Sequence, residues 1–297
     1  MEFLTTPLSR FENIPDYPFA PNYLEVGDGL KMHYVDEGPN DGEVVLLLHG
    51  EPSWSFLYRK MIPIFVEAGF RTIAPDLIGF GKSDKPVELD AYTYASHLGW
   101  LRSFMDQLGL KNINLFCQDW GGLLGLRDAA ENQGRYARIV AANTMLPTGD
   151  VTPNEDFLNW RQYALNVPEF KIGPLLNRAT VSDLSAEEIA AYDAPFPDES
   201  YKAGARKFPA LVPASQDDPE TENNRAAWKQ LRAFNKPFLT LFSDSDPIMK
   251  GLEQIFQKLI PGAQDQPHTI MKGGGHFLQE DNGPELAERM IAFIKAT

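Results

Sequence analysis

The residue types best suited to chemistry stand at three separated points of the chain. Asp119 lies in Phe116-Cys117-Gln118-Asp119-Trp120-Gly121-Gly122, between an apolar run, Asn112 to Phe116, and a helix-like segment from Gly121 to Ala130. At such a strand-to-helix turn, the elbow G-x-S-x-G holds up a serine nucleophile. Here a carboxylate takes that place. It disfavours ester and peptide hydrolysis and points to attack on a saturated carbon, with a covalent alkyl ester as intermediate. Downstream, Ser243-Asp244-Ser245-Asp246-Pro247-Ile248 follows the apolar run Phe238 to Phe242 and offers two acids, Asp244 and Asp246. His276 lies in Gly273-Gly274-Gly275-His276-Phe277, just after the strand-like His268 to Met271. With an ordinary pKa of about 6.5, imidazole is a fitting base for hydrolysing that ester.

These points need a scaffold, and the hydrophobic pattern predicts one. Val44 to Leu48, Arg71 to Ala74, Ile113 to Cys117 and Arg138 to Ala142 read as buried strands. Helical segments alternate with them, at Ser55 to Ala68, Thr93 to Leu108 and Gly121 to Asn132. Such alternation implies βαβ units and a mainly parallel sheet with helices on both faces. Tyr23 to Asp36 alternates in polarity around Gly27-Asp28-Gly29 and fits antiparallel edge strands. From Pro147 to Pro219 no buried strand is evident, only short helical pieces at Glu155 to Leu165, Ser185 to Tyr192 and Asp198 to Ala205. The alternation resumes with Phe238 to Phe242, Met249 to Leu259, His268 to Met271 and a last helix, Pro284 to Lys295. The expected organisation is a core domain, 1–146 and 220–297, with a helical cap, 147–219, inserted after the sixth strand. The carboxyl ends of the strands, where open α/β sheets bind ligands, would gather the three reactive points.

Composition narrows the partners. The net charge is −14, which disfavours nucleic acid, an anionic membrane surface and polyanionic substrates and suits a neutral small molecule. No apolar run approaches the roughly 20 residues of a membrane helix, and the N-terminus lacks a basic, then apolar, leader. A cytoplasmic monomer is expected. The single cysteine, Cys117, excludes an intrachain disulfide and reads as a small buried residue. The five histidines and one cysteine show no metal-ligand spacing, so neither metal nor cofactor is expected.

The order nucleophile, acid, histidine is that of α/β-hydrolases. His49-Gly50-Glu51-Pro52-Ser53-Trp54-Ser55, the loop Asp76 to Asp84, Gln118-Asp119-Trp120-Gly121-Gly122 and Gly275-His276-Phe277 resemble the dehalogenase and epoxide hydrolase group of that fold. The cap stretch Ala194 to Tyr201, with Lys207-Phe208-Pro209, resembles the first subfamily of haloalkane dehalogenases, and the likeness spans nearly the whole chain. It implies an eight-stranded α/β-hydrolase sheet and a catalytic set of Asp119, His276 and one acid. The acid followed by proline favours Asp246 over Asp244. Backbone N–H groups of Glu51 and Trp120 would form the oxyanion hole.

Resemblance also assigns the halide site. A departing halide is a weak acceptor and suits an indole N–H in an apolar pocket. Trp120 supplies one donor. One subfamily takes its second donor from an Asn where this chain has Glu51, and carries its acid after the sixth strand, where this chain reads Ala142-Asn143-Thr144. The other uses a cap tryptophan in F-x-x-W, matched by Phe157-Leu158-Asn159-Trp160. The implied substrate is a small haloalkane and the released ion chloride or bromide, with Phe80, Phe157, Phe196 and Phe208 as candidate pocket walls. An epoxide hydrolase would instead use cap tyrosines such as Tyr163, Tyr192 and Tyr201. A haloacid dehalogenase would need an arginine where Ile78 stands, and a silent binding protein of this fold would not need the complete set.

Overall fold

The computed structural model describes residues 1–297. Eight strands form one sheet: β1 (Asn22–Glu25), β2 (Lys31–Glu37), β3 (Val44–Leu48), β4 (Arg71–Pro75), β5 (Ile113–Gln118), β6 (Tyr136–Ala142), β7 (Phe238–Ser243) and β8 (Thr269–Met271). Their spatial order is β8-β7-β6-β5-β3-β4-β2-β1. All pairings from β8 to β4 are parallel, and β1 and β2 join antiparallel at the edge. β5 and β7 are buried along their whole length, so their apolar runs do not alternate. A separate two-residue ribbon pairs Phe3–Leu4 with Lys85–Pro86. No helix is long and apolar enough to cross a membrane.

The helices are α1 (Ile62–Glu67), α2 (Tyr94–Gln107), α3 (Trp120–Glu131), α4 (Glu155–Asn166), α5 (Ile172–Ala179), α6 (Ala186–Asp193), α7 (Ala203–Leu211), α8 (Thr221–Leu231), α9 (Glu253–Leu259) and α10 (Leu278–Ala296). α1 packs with α10, while α3 packs with α2 and α8. The expected Ser55 to Ala68 helix divides into a 3-10 turn, Ser55–Tyr58, and α1, which places Pro63 in its first turn. Two helices escaped the sequence reading. α5 carries Gly173 and Pro174 in its first turn, and α8 is largely polar. α10 begins six residues before Pro284 and breaks its helical dihedrals at Asn282, just before that proline.

Residues 147–219 contain α4 to α7 and no strand of the sheet. The seam beneath them is polar as well as apolar. Trp54 Nε1 donates to Ala191 O at 3.2 Å, and Thr6 Oγ1 to Pro195 O at 2.8 Å. The buried Arg59 guanidinium joins Glu188 of α6 to Glu280 of α10.

Candidate active site

The elbow is built from tight backbone approaches. Asp119 stands between β5 and α3 with φ 50° and ψ −125°, a conformation costly for a residue with a Cβ. Thr144 Oγ1 donates to its carbonyl at 2.7 Å, and its N–H donates to Asn143 O at 3.1 Å. Gly50 and Gly121 permit the approach. A Cβ on Gly50 would lie 2.3 Å from Asp119 Oδ1, and one on Gly121 would lie 2.0 Å from Leu48 O.

Three elements converge on the Asp119 carboxylate. Oδ1 accepts the Glu51 N–H at 2.7 Å, whereas Oδ2 lies 3.5 Å from His276 Nε2. Trp120 N–H is the first of α3 and has no acceptor within its helix. On the far side of the ring, His276 Nδ1 lies 2.7 Å from Asp246 Oδ2. Asp246 Oδ1 accepts Ile248 N–H at 2.8 Å and Met249 N–H at 3.2 Å, which fixes the carboxylate under the imidazole. Asp244 is turned away: it accepts Gly273 N–H at 3.0 Å in a turn. The structure thus brings Asp246, not Asp244, to His276.

The charges are coupled. Burial opposes the His276 imidazolium, but Asp246 and Asp119 outweigh it and push the group up to about 10. Burial also opposes the Asp246 carboxylate, yet the His276 charge and the hydrogen bonds hold it below its ordinary range. Glu51 is different. Its buried Oε1 has no partner. Burial first, then the Asp119 charge, push its carboxyl well up, against a lesser pull from His276.

A cavity of about 910 Å³ opens over this group, lined by Glu51, Asp119, Trp120, Phe157, Trp160 and His276 among others. Trp228 also lines it but donates its indole N–H to Leu146 O at 2.8 Å, as Trp54 donates to Ala191 O. Trp120 and Trp160 line the cavity too, and their indole N–H groups have no protein acceptor.

Of the four phenylalanines expected in the wall, only Phe157 lines the cavity. Phe208 lies behind Trp120, stacked with centroids 4.2 Å apart and planes 15° apart, and Phe80 stacks behind Phe208 at 4.9 Å. Phe196 sits near the buried Lys85, 6.0 Å from ring centre to Nζ. Phe80 and Phe208 are a backing layer. Much of the apolar wall comes instead from aliphatic residues such as Leu123, Leu175, Val212 and Ile248. Tyr163, Tyr192 and Tyr201 do not line the cavity, and Tyr192 spends its hydroxyl on Glu280.

Sequence reading passed over the residues that hold the loops. Asn143 Nδ2 donates to Ser243 Oγ and Gly275 O, each at 2.9 Å, and so ties β7 to the His276 loop. Gln118 reaches His276 directly, with Nε2 3.1 Å from its main-chain oxygen. The available signal was position: each adjoins a strand end that carries or faces Asp119.

Comparison with known proteins places the chain in a family. A family model described as alpha/beta hydrolase fold matches residues 43–283. The chain is 58% identical to a haloalkane dehalogenase of Psychrobacter cryohalolentis, over 99% of this chain and 98% of that protein. It is 49% identical to one of Mycobacterium marinum, over 99% of this chain and 100% of that protein. Among solved structures, a haloalkane dehalogenase of Paraglaciecola agarilytica, described as tetrameric, superposes with a TM-score of 0.92 at 36% identity, covering 98% of both chains. One from Bradyrhizobium elkani gives 0.80 at 26% identity, over 94% of this chain and 100% of that one. The chain therefore belongs to the haloalkane dehalogenases, hydrolases of the α/β-hydrolase fold.

Proposed function

We propose that the enzyme converts haloalkanes to alcohol, halide and a proton in two steps, through an alkyl ester on Asp119. Oδ1 is occupied by the Glu51 N–H, which leaves Oδ2 as the attacking oxygen. Oδ2 displaces the halide from carbon, forming the C–O bond as the C–halogen bond breaks. The indole N–H groups of Trp120 and Trp160 receive the charge that develops on the halide. Water, deprotonated by His276, then adds to the ester carbonyl carbon. Oδ1 becomes the oxyanion, held by the backbone N–H of Glu51 and Trp120. Collapse of the adduct expels the alcohol, which takes the proton held by His276, and the Asp119 carboxyl releases the remaining proton of the water to solvent and is restored as carboxylate. Asp246 holds the ring and balances its charge.

The observation that carries this reading is the pair of indole N–H groups without protein acceptors, on the cavity that holds a carboxylate at a strand-to-helix elbow. The same cavity lacks the tyrosine hydroxyls that epoxide opening would use. Halide release from 1,2-dichloroethane, 1,2-dibromoethane and 1-bromobutane tests it, with styrene oxide as competitor. Halide from the haloalkanes is expected; diol from the epoxide and no halide would sink the reading.

The scheme fixes a pH dependence. In the free enzyme two carboxylates raise His276 to about 10. Alkylation removes the Asp119 charge, so the pKa of the ring must fall in the ester. Ester hydrolysis needs the neutral ring, so its rate rises with pH through that lowered value. Alkylation needs only ionised Asp119. In acid, rapid-quench measurement should therefore find ester accumulating while the first release of halide persists. An ester that never accumulates as steady-state turnover falls would contradict this assignment.

A further inference from the structure

Gln118 ends β5 and is fully buried, yet the two-step scheme gives it no part. Its Nε2 lies 3.1 Å from the main-chain oxygen of His276 and 3.2 Å from imidazole Nε2. A carbonyl oxygen only accepts, so this Gln118 atom is the NH2 and not the amide oxygen. The same NH2 therefore presents a donor to the ring nitrogen. Oε1, at the other corner of the amide, is buried without a partner. The amide keeps its NH2 on His276 although its oxygen goes unpaired. On the opposite edge of the ring, Nδ1 faces the Asp246 carboxylate at 2.7 Å, an acceptor, so Nδ1 carries the hydrogen.

From these contacts we propose that Gln118 is a positioning residue for ester hydrolysis, holding His276 in the form with its proton on Nδ1 and its lone pair on Nε2. The proposal deepens the two-step reading and rests on it. A proton on Nε2 would meet the Gln118 NH2 donor to donor. The titratable groups around the ring are Asp246 after β7, Asp119 at the elbow and Glu51 after β3, the last with its carboxyl pushed well up by burial. From α10, Asp281 accepts Gly275 N–H at 2.8 Å. From α5, the Ala179 carbonyl accepts His276 N–H at 2.8 Å, and the exposed Arg178 lines the same cavity. The carboxylates favour imidazolium; Gln118 is the group in contact with Nε2 that favours the neutral ring. A neutral donor at 3.2 Å also yields to water more readily than a carboxylate would.

The test compares Gln118→Met, which keeps length and loses the donor, with Gln118→Glu, which places an acceptor there. Bromide burst and ester decay are followed with 1,2-dibromoethane by rapid quench across pH. The burst should stay near one bromide per chain. The pH of half-maximal ester hydrolysis should rise in the order wild type, Met, Glu. A rise of about one unit for Met corresponds to tenfold slower hydrolysis on the acid side. Hydrolysis that falls equally at every pH, with the midpoint unmoved, would overturn the proposal by reducing Gln118 to a packing role. If Gln118→Met does not fold, the midpoint in Gln118→Glu decides alone: an upward shift supports the proposal and no shift overturns it. Failure of His276→Phe to trap an ester would instead remove the two-step reading, whatever the Gln118 variants do.

Discussion

Trp120 and Trp160 face one cavity from two very different supports. α3, which carries Trp120, is buried from Trp120 to Ala130, and the indole is stacked on Phe208 and packed against Tyr94 at 5.4 Å. α4, which carries Trp160, buries only Phe157 and Ala164, and its tryptophan touches Tyr163 and Phe170 with centroids 6.0 and 5.8 Å away. The surroundings of Trp120 are close-packed, and they include Phe208 of α7. Within the helical segment over the sheet, α4 is the more exposed support. The Trp120 indole is thus carried by a buried helix, and the Trp160 indole by a largely exposed one. On the proposed scheme, the first support suits chemistry that tolerates no displacement, and the second suits adaptation to substrate shape.

The comparison breaks most sharply at the elbow. Asp119→Ala should abolish turnover, with no halide above the uncatalysed background and no ester by mass spectrometry. Residual turnover in that variant would remove the core site from the scheme. His276→Phe should release about one halide per chain and stop, with the alkyl group retained on Asp119. Both effects follow from Asp119 and His276 themselves: a change in α4 should slow the formation of the trapped ester but not release it.

The two tryptophans then sharpen it. A hydrogen bond to a charged partner is worth about 1.5–3 kcal/mol, roughly 10- to 150-fold in rate. Trp120→Phe should fall near the upper end, because the stack of Phe208 and Tyr94 that aims its N–H leaves no room for another donor. Trp160→Phe should fall near the lower end, because α4 can shift to let water or a neighbour compensate. Single-turnover rates of carbon–halogen cleavage measure both. Chloride quenching of indole fluorescence should weaken in each variant. A larger loss for Trp160 than for Trp120 would reverse the assignment of rigid and adaptable sides.

Legibility in the sequence follows the same division. The elbow, the parallel strands and the Asp119, acid, His276 order were readable because each rests on a local signal: an unbroken apolar run, a Gly-Gly pair, a loop of three glycines. Phe157 and Trp160 were readable only through a resembled motif. The other phenylalanines were misplaced because composition cannot separate a cavity wall from the layer that stacks behind it, and Phe80 and Phe208 are such a layer. Asp244 and Asp246 differ by two positions: the proline after Asp246 favoured it through resemblance, and the turn that sends Asp244 to Gly273 N–H separates them in space. α5 and α8 were missed because tertiary packing, not propensity, holds a helix that opens on Gly-Pro and another that is mostly polar.

The smallest expected effect probes how lightly α4 is anchored. Asn154 caps this helix, its Oδ1 accepting Phe157 N–H at 2.9 Å, and its Nδ2 donates to Pro247 O at 3.2 Å and Ile248 O at 3.1 Å. That one side chain ties the helix of Trp160 to the loop of Asp246. Asn154→Ala removes the cap and both ties, at a cost of about 1 kcal/mol. In a chain of this size that lowers the melting temperature by about 2 °C. The larger consequence should be kinetic, a several-fold rise in KM with kcat less affected, because the loosened helix no longer holds Trp160 over the bound substrate. Ester decay in a single turnover should change little, since the Ile248 and Met249 N–H groups still hold Asp246 beneath His276. If ester decay slows as much as KM rises, α4 and the acid loop act as one rigid unit, and the cap side is no more adaptable than the core.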